Sequence, residues 1–296
     1  MSLKSVTFIV NPVSGGKGKG AILGAIARGL DLDAFRCEFL QTSRAGEAEE
    51  LARASNSEIV VAVGGDGTVS EVAKGLIGTS KAMGIIPCGS GNGLALHLGI
   101  SRDPARAVKV INEGVTACID TASVNGRMFL VTAGVGLDAA VSQDFASSKK
   151  RGLQTYIQTA IEDWISRKPE QYIVETDFGS WSGKAVFVTV GNANQWGNDA
   201  KITPLASLRD GLLDVTIVEP FSALEAPDLA ARLMTGKTNT SRKVCSLRGT
   251  NVFVHRNAPG PAHADGDPFT TGEELAFEIA PATLNVVIPR SRAGKI

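Results

Sequence analysis

The first part of the chain alternates short apolar runs with stretches of helical spacing. Residues 6–10 are an apolar, β-branched run that stops at Asn11-Pro12, which predicts a buried first strand ending in a loop. Helical composition over 19–30, a strand pattern at 36–41 and a helix over 45–55 follow, the last with acidic residues in its first turn. The run at 58–63 predicts a third strand that ends on Gly64-Gly65-Asp66-Gly67. A helix over 68–77, a strand over 82–87, a second glycine-rich turn at 89–93 and a helix over 104–113 complete the pattern. This alternation predicts a doubly wound α/β domain over residues 1–122.

Beyond Asp120 the pattern changes to strand-like runs in close succession. They fall at 121–124, 127–133, 172–176, 184–191, 212–218, 251–255, 275–279 and 284–288. An amphipathic helix over about 151–167 and another over about 222–235 interrupt them. Runs of strands with few helices predict a β-rich sandwich or barrel for residues 123–296, with the last residues free to return to the first domain.

Composition narrows the classes without choosing a function. The 296 residues are 43 % hydrophobic and 20 % charged with zero net charge, which suits a folded soluble chain and gives no global attraction to nucleic acid. The four cysteines lie apart with no CxxC pair, and the three histidines have no zinc-ligand spacing, which predicts reduced thiols in the cytosol. The opening apolar run is too short for a signal peptide or a membrane span. A membrane-borne substrate would therefore be met peripherally, from the cytoplasmic side.

The glycine-rich turns are the candidate chemistry. Strand, Gly-Gly-Asp-Gly-Thr, helix is an arrangement that points backbone N–H groups and a helix N-terminus at an anion. GSGNG repeats it after the next strand, and NPVSGGKGKG follows the first strand, so three loops would converge at one edge of a parallel sheet. Neither the P-loop pattern nor the dinucleotide pattern is matched. Asp66 stands among these loops as a candidate metal ligand or a group near a reacting hydroxyl. Lys17 and Lys19 are candidates to neutralise phosphate.

In order along the chain, NPVSGGKGKG (11–20), GGDGTVSEVAKGL (64–76), PCGSGNGLAL (87–96), GN (191–192), PLASLRDGLLDV (204–215) and ADGD (264–267) resemble the diacylglycerol kinase catalytic family. That family includes bacterial lipid kinases and the sphingosine and ceramide kinases. The resemblance implies an N-terminal domain like that of NAD kinase and phosphofructokinase, a β-rich second domain, and transfer of phosphate from ATP to a lipid hydroxyl in a cleft between them. It implies nucleotide contacts from Asn11, Pro12, Val13, Ser14 and Gly15, from Thr42, from Gly65, Asp66, Gly67, Thr68, Val69, Ser70 and Glu71, and from Ser90 and Asn92. It implies a substrate-side role for Asp120. A Mg²⁺ site would use the Asp210 carboxylate with the Ser207 and Leu212 carbonyls. Asp267 matches the acidic residue that acts as base, with Asp66 on the metal side. Two departures stand out: Gly93 occupies a position that is Asp in many bacterial relatives, and Asp267 one that is often Glu. Expected partners are a lipid at the inner membrane face, no nucleic acid, and a second copy in a homodimer. Phe145, Trp164, Trp181 and Trp196 are candidates to line a lipid pocket, and Lys149-Lys150-Arg151 to touch anionic lipid.

Overall fold

The structure is a computed structural model that describes residues 3–14, 19–136 and 169–296. The expectations for Gly15, Lys17, Phe145, Lys149, Lys150, Arg151, Trp164 and the helix over 151–167 lie outside those residues. The chain divides into two compact units, Met1–Ile119 with Ala282–Ile296, and Asp120–Pro281.

The first unit is α/β. Its strands are β1 (Lys4–Val10), β2 (Phe35–Gln41), β3 (Ile59–Gly64) and β4 (Ala82–Pro87). They pair in parallel in the order β2-β1-β3-β4, and residues Asn285–Val286 of a late strand add in parallel beside β4. β3 and β4 are buried along their whole length, as strands covered on both faces must be. The covering helices are α1 (Lys19–Gly29), α2 (Glu47–Ala54), α3 (Asp66–Leu76) and α5 (Pro104–Glu113). The short α4 (Gly93–His97) sits after the second glycine turn. Ile22, Ile26, Val72, Leu76, Val108 and Ile111 are the buried residues by which these helices join the core. Asp103 caps α5 by accepting from Arg106 N at 2.9 Å, with Pro104 at the first helical position.

The second unit is a sandwich of two antiparallel layers. One contains β8 (Glu170–Thr176), β9 (Gly179–Ala185), β13 (Asn251–Arg256) and the first part of β16 (Glu274–Ile288), in the order β16-β13-β8-β9. The end of β5 (Val115–Val124) pairs with β6 (Arg127–Phe129). The other layer runs β12-β11-β10-β7-β14-β15. Its members are β7 (Thr132–Gly136), β10 (Phe187–Gly191), β11 (Leu213–Val218), β12 (Val244–Gly249), β14 (Gly260–Ala264) and β15 (Asp267–Thr271). The core between the layers holds Phe129, Tyr172, Val174, Phe277, Val188 and Val215. The helix α6 (Ala226–Thr235) lies outside it, with no fully buried residue.

Several elements differ from the sequence expectation, and two of them share one reason. A sandwich needs the chain to change layers, and a change of layer inside an apolar run leaves no break in the hydrophobic pattern. The run at 184–191 is thus two strands, β9 and β10, in different layers; that at 127–133 is likewise β6 and the start of β7. The expected pair at 275–279 and 284–288 is one strand, β16. β12 and β15 are polar or proline-containing edge strands, and β14 is a short proline-containing strand between β7 and β15; alternation did not mark these three.

Candidate active site

Parallel pairing puts the ends of β1, β2, β3 and β4 at one edge of the first unit. Asn11, Thr42, Gly65 and Gly89 follow these ends. Asn11 N donates to Val63 O at 3.1 Å, and its side-chain Nδ2 donates to Thr68 Oγ1 at 3.0 Å. Asn11 Oδ1 accepts from Val13 N at 3.0 Å, which shapes the Asn11–Ser14 turn. Val13 is 79 % exposed. Thr42 is buried and its N donates to Val10 O.

The two glycine turns press together backbone to backbone. A Cβ on Gly89 would lie 2.7 Å from the Gly65 Cα, and one on Gly65 would lie 3.2 Å from the Gly89 Cα. Any side chain at Gly89 would force the turns apart. Asp66 locks them: Oδ2 accepts from Asn92 N at 2.8 Å and Oδ1 from Gly93 N at 2.7 Å. Asn92 holds the left-handed conformation at φ 55°, with its own amide bonded to both the N and the O of Gly89.

This differs from the expectation that both turns hold phosphate through free N–H groups. The Asn92 and Gly93 N–H groups are given to Asp66. The N-terminus of α3 has no side-chain cap, and Gly67 there is exposed with open space where a Cβ would stand. The first N–H groups of a helix have no intrahelical acceptor, and the glycine at 67 puts no side chain over those at the start of α3. Val69 and Ser70 are buried on the inner side of α3, and Ser90 is exposed. Glu71 accepts from Gly46 N at 2.9 Å and Ala48 N at 3.2 Å, so it caps α2 from a neighbouring helix. Cys88 sits between the turns; burial pushes its thiol up to about 11, which makes it a poor nucleophile.

In the second unit the motifs fall on one row across a sheet. Pairing runs Arg248 to Asp214, Asp214 to Gly191, and Gly191 to Thr132, and Asp265 N donates to Thr132 O at 2.8 Å. DGLLDV, GN and ADGD, far apart in sequence, thus reach the same end of the same layer. Asp120 is buried there: its Oδ2 accepts from Gly211 N at 2.9 Å and its N donates to Leu208 O at 2.7 Å. Asn192 Nδ2 bridges Asp120 O at 3.0 Å and Leu130 O at 2.9 Å. Asp267 is exposed, two residues beyond Asp265, at the tip of the β14–β15 hairpin.

Asp210 has a cation already. Arg248 Nη2 lies 2.6 Å from Asp210 Oδ2, and Arg248 Nε lies 3.1 Å from Asp214 Oδ1. Asp210 Oδ1 also accepts from Leu212 N at 3.1 Å. Among the described residues no group of three or more His, Cys, Asp or Glu side chains is arranged to hold a metal. The Asp210 carboxylate, which the family resemblance assigns to Mg²⁺ together with the Ser207 and Leu212 carbonyls, is thus paired with the Arg248 guanidinium in this structure. Burial pushes the Asp214 carboxyl up to about 6, against the pull of Arg248. Sequence reasoning missed Asp214, Arg248, Asp265 and Asn192 as members of this region; the motifs DGLLDV, ADGD and GN were the available signal for all but Arg248. The two described tryptophans are packing residues. Trp181 lies against the sandwich core, and the Trp196 ring is 5.2 Å from that of Phe187. His97 is buried, and its carbonyl accepts from Arg292 Nη2 at 2.8 Å.

The two units, a parallel α/β unit and an antiparallel sandwich, are also the two parts that the comparisons with known families separate. The chain belongs to the family that joins a diacylglycerol kinase catalytic domain, matched by residues 5–124, to a YegS C-terminal NAD kinase beta sandwich-like domain, matched by residues 131–288. A protein of Bacillus subtilis (strain 168) named diacylglycerol kinase is 27 % identical over 304 residues, covering 99 % of both chains. An uncharacterised Synechocystis protein is 29 % identical over 83 % of this chain, which spans 58 % of that relative's length. The crystal structure of a diacylglycerol kinase from Bacillus anthracis str. Sterne superposes with a TM-score of 0.75 at 20 % identity, over 98 % of this chain and 99 % of that one. An NAD kinase from Archaeoglobus fulgidus shares the fold more distantly, with a TM-score of 0.51 at 14 % identity over 97 % and 95 % of the two chains.

Proposed function

We propose that this protein is an ATP-dependent lipid kinase that transfers the γ-phosphoryl group to a lipid hydroxyl, with diacylglycerol as the first acceptor. The observation that carries this reading is the uncapped N-terminus of α3 with open space at Gly67, beside the turn held by Asp66. Family membership and the name of the B. subtilis relative support the choice of acceptor. Phosphoryl transfer needs positioning and charge neutralisation more than covalent work by the protein. In this reading the α3 N–H groups bind phosphate oxygens, and Mg²⁺ arrives with ATP as part of the substrate. The acceptor oxygen forms a bond to the γ-phosphorus, the bond to the β-phosphate oxygen breaks, ADP leaves, and the hydroxyl proton passes to the Asp267 carboxylate. In this reading the lipid is met peripherally; no helix among the described residues is long and apolar enough to cross a membrane.

Purified protein with labelled ATP, Mg²⁺ and separate acceptors (diacylglycerol, sphingosine, ceramide, undecaprenol and NAD) tests this. Transfer to diacylglycerol is expected. Transfer to sphingosine or ceramide would keep the lipid kinase and replace its substrate, whereas labelling of NAD alone, or of nothing, would overturn the reading. Asp267→Asn is expected to abolish turnover while ATP binding survives; near wild-type activity would remove Asp267 as the base.

A further inference from the structure

We infer that Asp265 is a positioning residue, whose carboxylate sets the place of Asp267 by tying the hairpin tip to the start of β7. The inference rests on the kinase reading above. Asp265 and Gly266 are the two residues between β14 and β15, at φ +50° and +84°. Positive φ at both central positions is the two-residue turn that matches strand twist, and Asp-Gly or Asn-Gly is its preferred sequence. Turn formation alone therefore explains either Asp or Asn at 265.

The hydrogen bonds ask for more than a turn. Asp265 Oδ2 accepts from Leu130 N at 2.8 Å, and Oδ1 accepts from Val131 N at 2.8 Å and Thr132 N at 3.3 Å. Only a carboxylate presents acceptors on both sides; an amide would turn its NH₂ toward one of these donors. Charge-assisted bonds of this kind are short and strong.

The same peptides lead onward to Asp120. Leu130 gives its N–H to Asp265 and its carbonyl to Asn192 Nδ2, which also reaches Asp120 O. Asn192 is fully buried, and its N and that of Ala193 both donate to Val131 O. Asp120 in turn takes Gly211 N. The segment 130–132 is thus clasped by Asp265 on one side and Asn192 on the other. Asp267 follows the Asp265-Gly266 turn directly, and Ala264 pairs with it across the hairpin. Its backbone can shift little while the Asp265 clasp holds.

Asp265→Asn separates the two roles, because Asn-Gly keeps the turn and loses one acceptor. Its kcat is expected to fall about 10- to 100-fold with the KM for ATP within about twofold of wild type, as for a misplaced reacting group. Hydrogen exchange at Leu130 and Val131 should accelerate in the same variant. Wild-type kcat in folded Asp265→Asn would overturn the inference, since the turn alone would then suffice. Should that variant not fold, Asp265→Glu, which keeps a carboxylate but moves its oxygens one methylene away from the Leu130, Val131 and Thr132 N–H groups, takes its place. It too should lower kcat and spare the KM for ATP, and unchanged kcat there would overturn the positioning role. If wild-type protein transfers phosphate to none of the acceptors, the kinase reading falls and takes this assignment with it; an active wild type with equally active variants removes the assignment alone.

Discussion

At the residue scale, two carboxylates of the GGDGT and DGLLDV motifs do different work from each other. Asp66 spends both oxygens on the backbone of a turn 26 and 27 residues away. Asp66→Asn would put an amide donor against one of those N–H groups. A charge-assisted bond is worth about 1.5–3 kcal/mol, so a comparable loss in denaturant unfolding is expected, with weaker ATP binding by titration. Unchanged stability would show that the lock is not needed. Asp214 carries a pH signature. Its carboxyl is raised to about 6 in the fold, first by burial, above an ordinary value near 3.8. Native protein therefore binds the proton more tightly than unfolded chain, and this contribution to stability is present below about pH 4 and lost as pH rises through about 6. Wild type should lose on the order of 3 kcal/mol relative to Asp214→Asn across that window. A difference between the two that stays constant with pH would refute the shift.

At the element scale, the helix α3 and the β14–β15 hairpin are the parts that place chemistry. Each is set by local rules that the sequence displays: glycine at the α3 start, Asp-Gly at the hairpin tip. What anchors each is remote. Glu71 of α3 caps α2, and Asp265 of the hairpin holds the start of β7. The sandwich layers depend on aromatic packing. The rings of Phe129 and Phe277 meet edge to face at 6.4 Å, and both side chains are buried. Phe277→Ala is expected to cost about 3–5 kcal/mol through lost burial and the cavity left behind. Thermal or urea unfolding measures it, and a loss below about 1 kcal/mol would mean that the core refills the space.

At the scale of the whole molecule, binding should be visible as stability. A ligand that binds only native protein at 100 times its Kd stabilises it by about 2.7 kcal/mol. ATP should therefore raise the melting temperature of wild type, and less so for Asp66→Asn at equal ATP; no shift at millimolar ATP would contradict a nucleotide site in the first unit. The sequence alone determined the α/β and β-rich classes, because alternation with periods of two and 3.6 is written in neighbouring residues. It also marked the glycine turns, since only glycine leaves backbone uncovered, and ADGD and DGLLDV through family resemblance. Tertiary structure decided which partner each carboxylate holds: Asp66 reaches Asn92, Arg248 reaches Asp210, and Asp265 reaches Leu130 across 135 residues. Such bonds depend on strand register and layer changes, and these are settled by how whole sheets pack, which no local window of sequence contains.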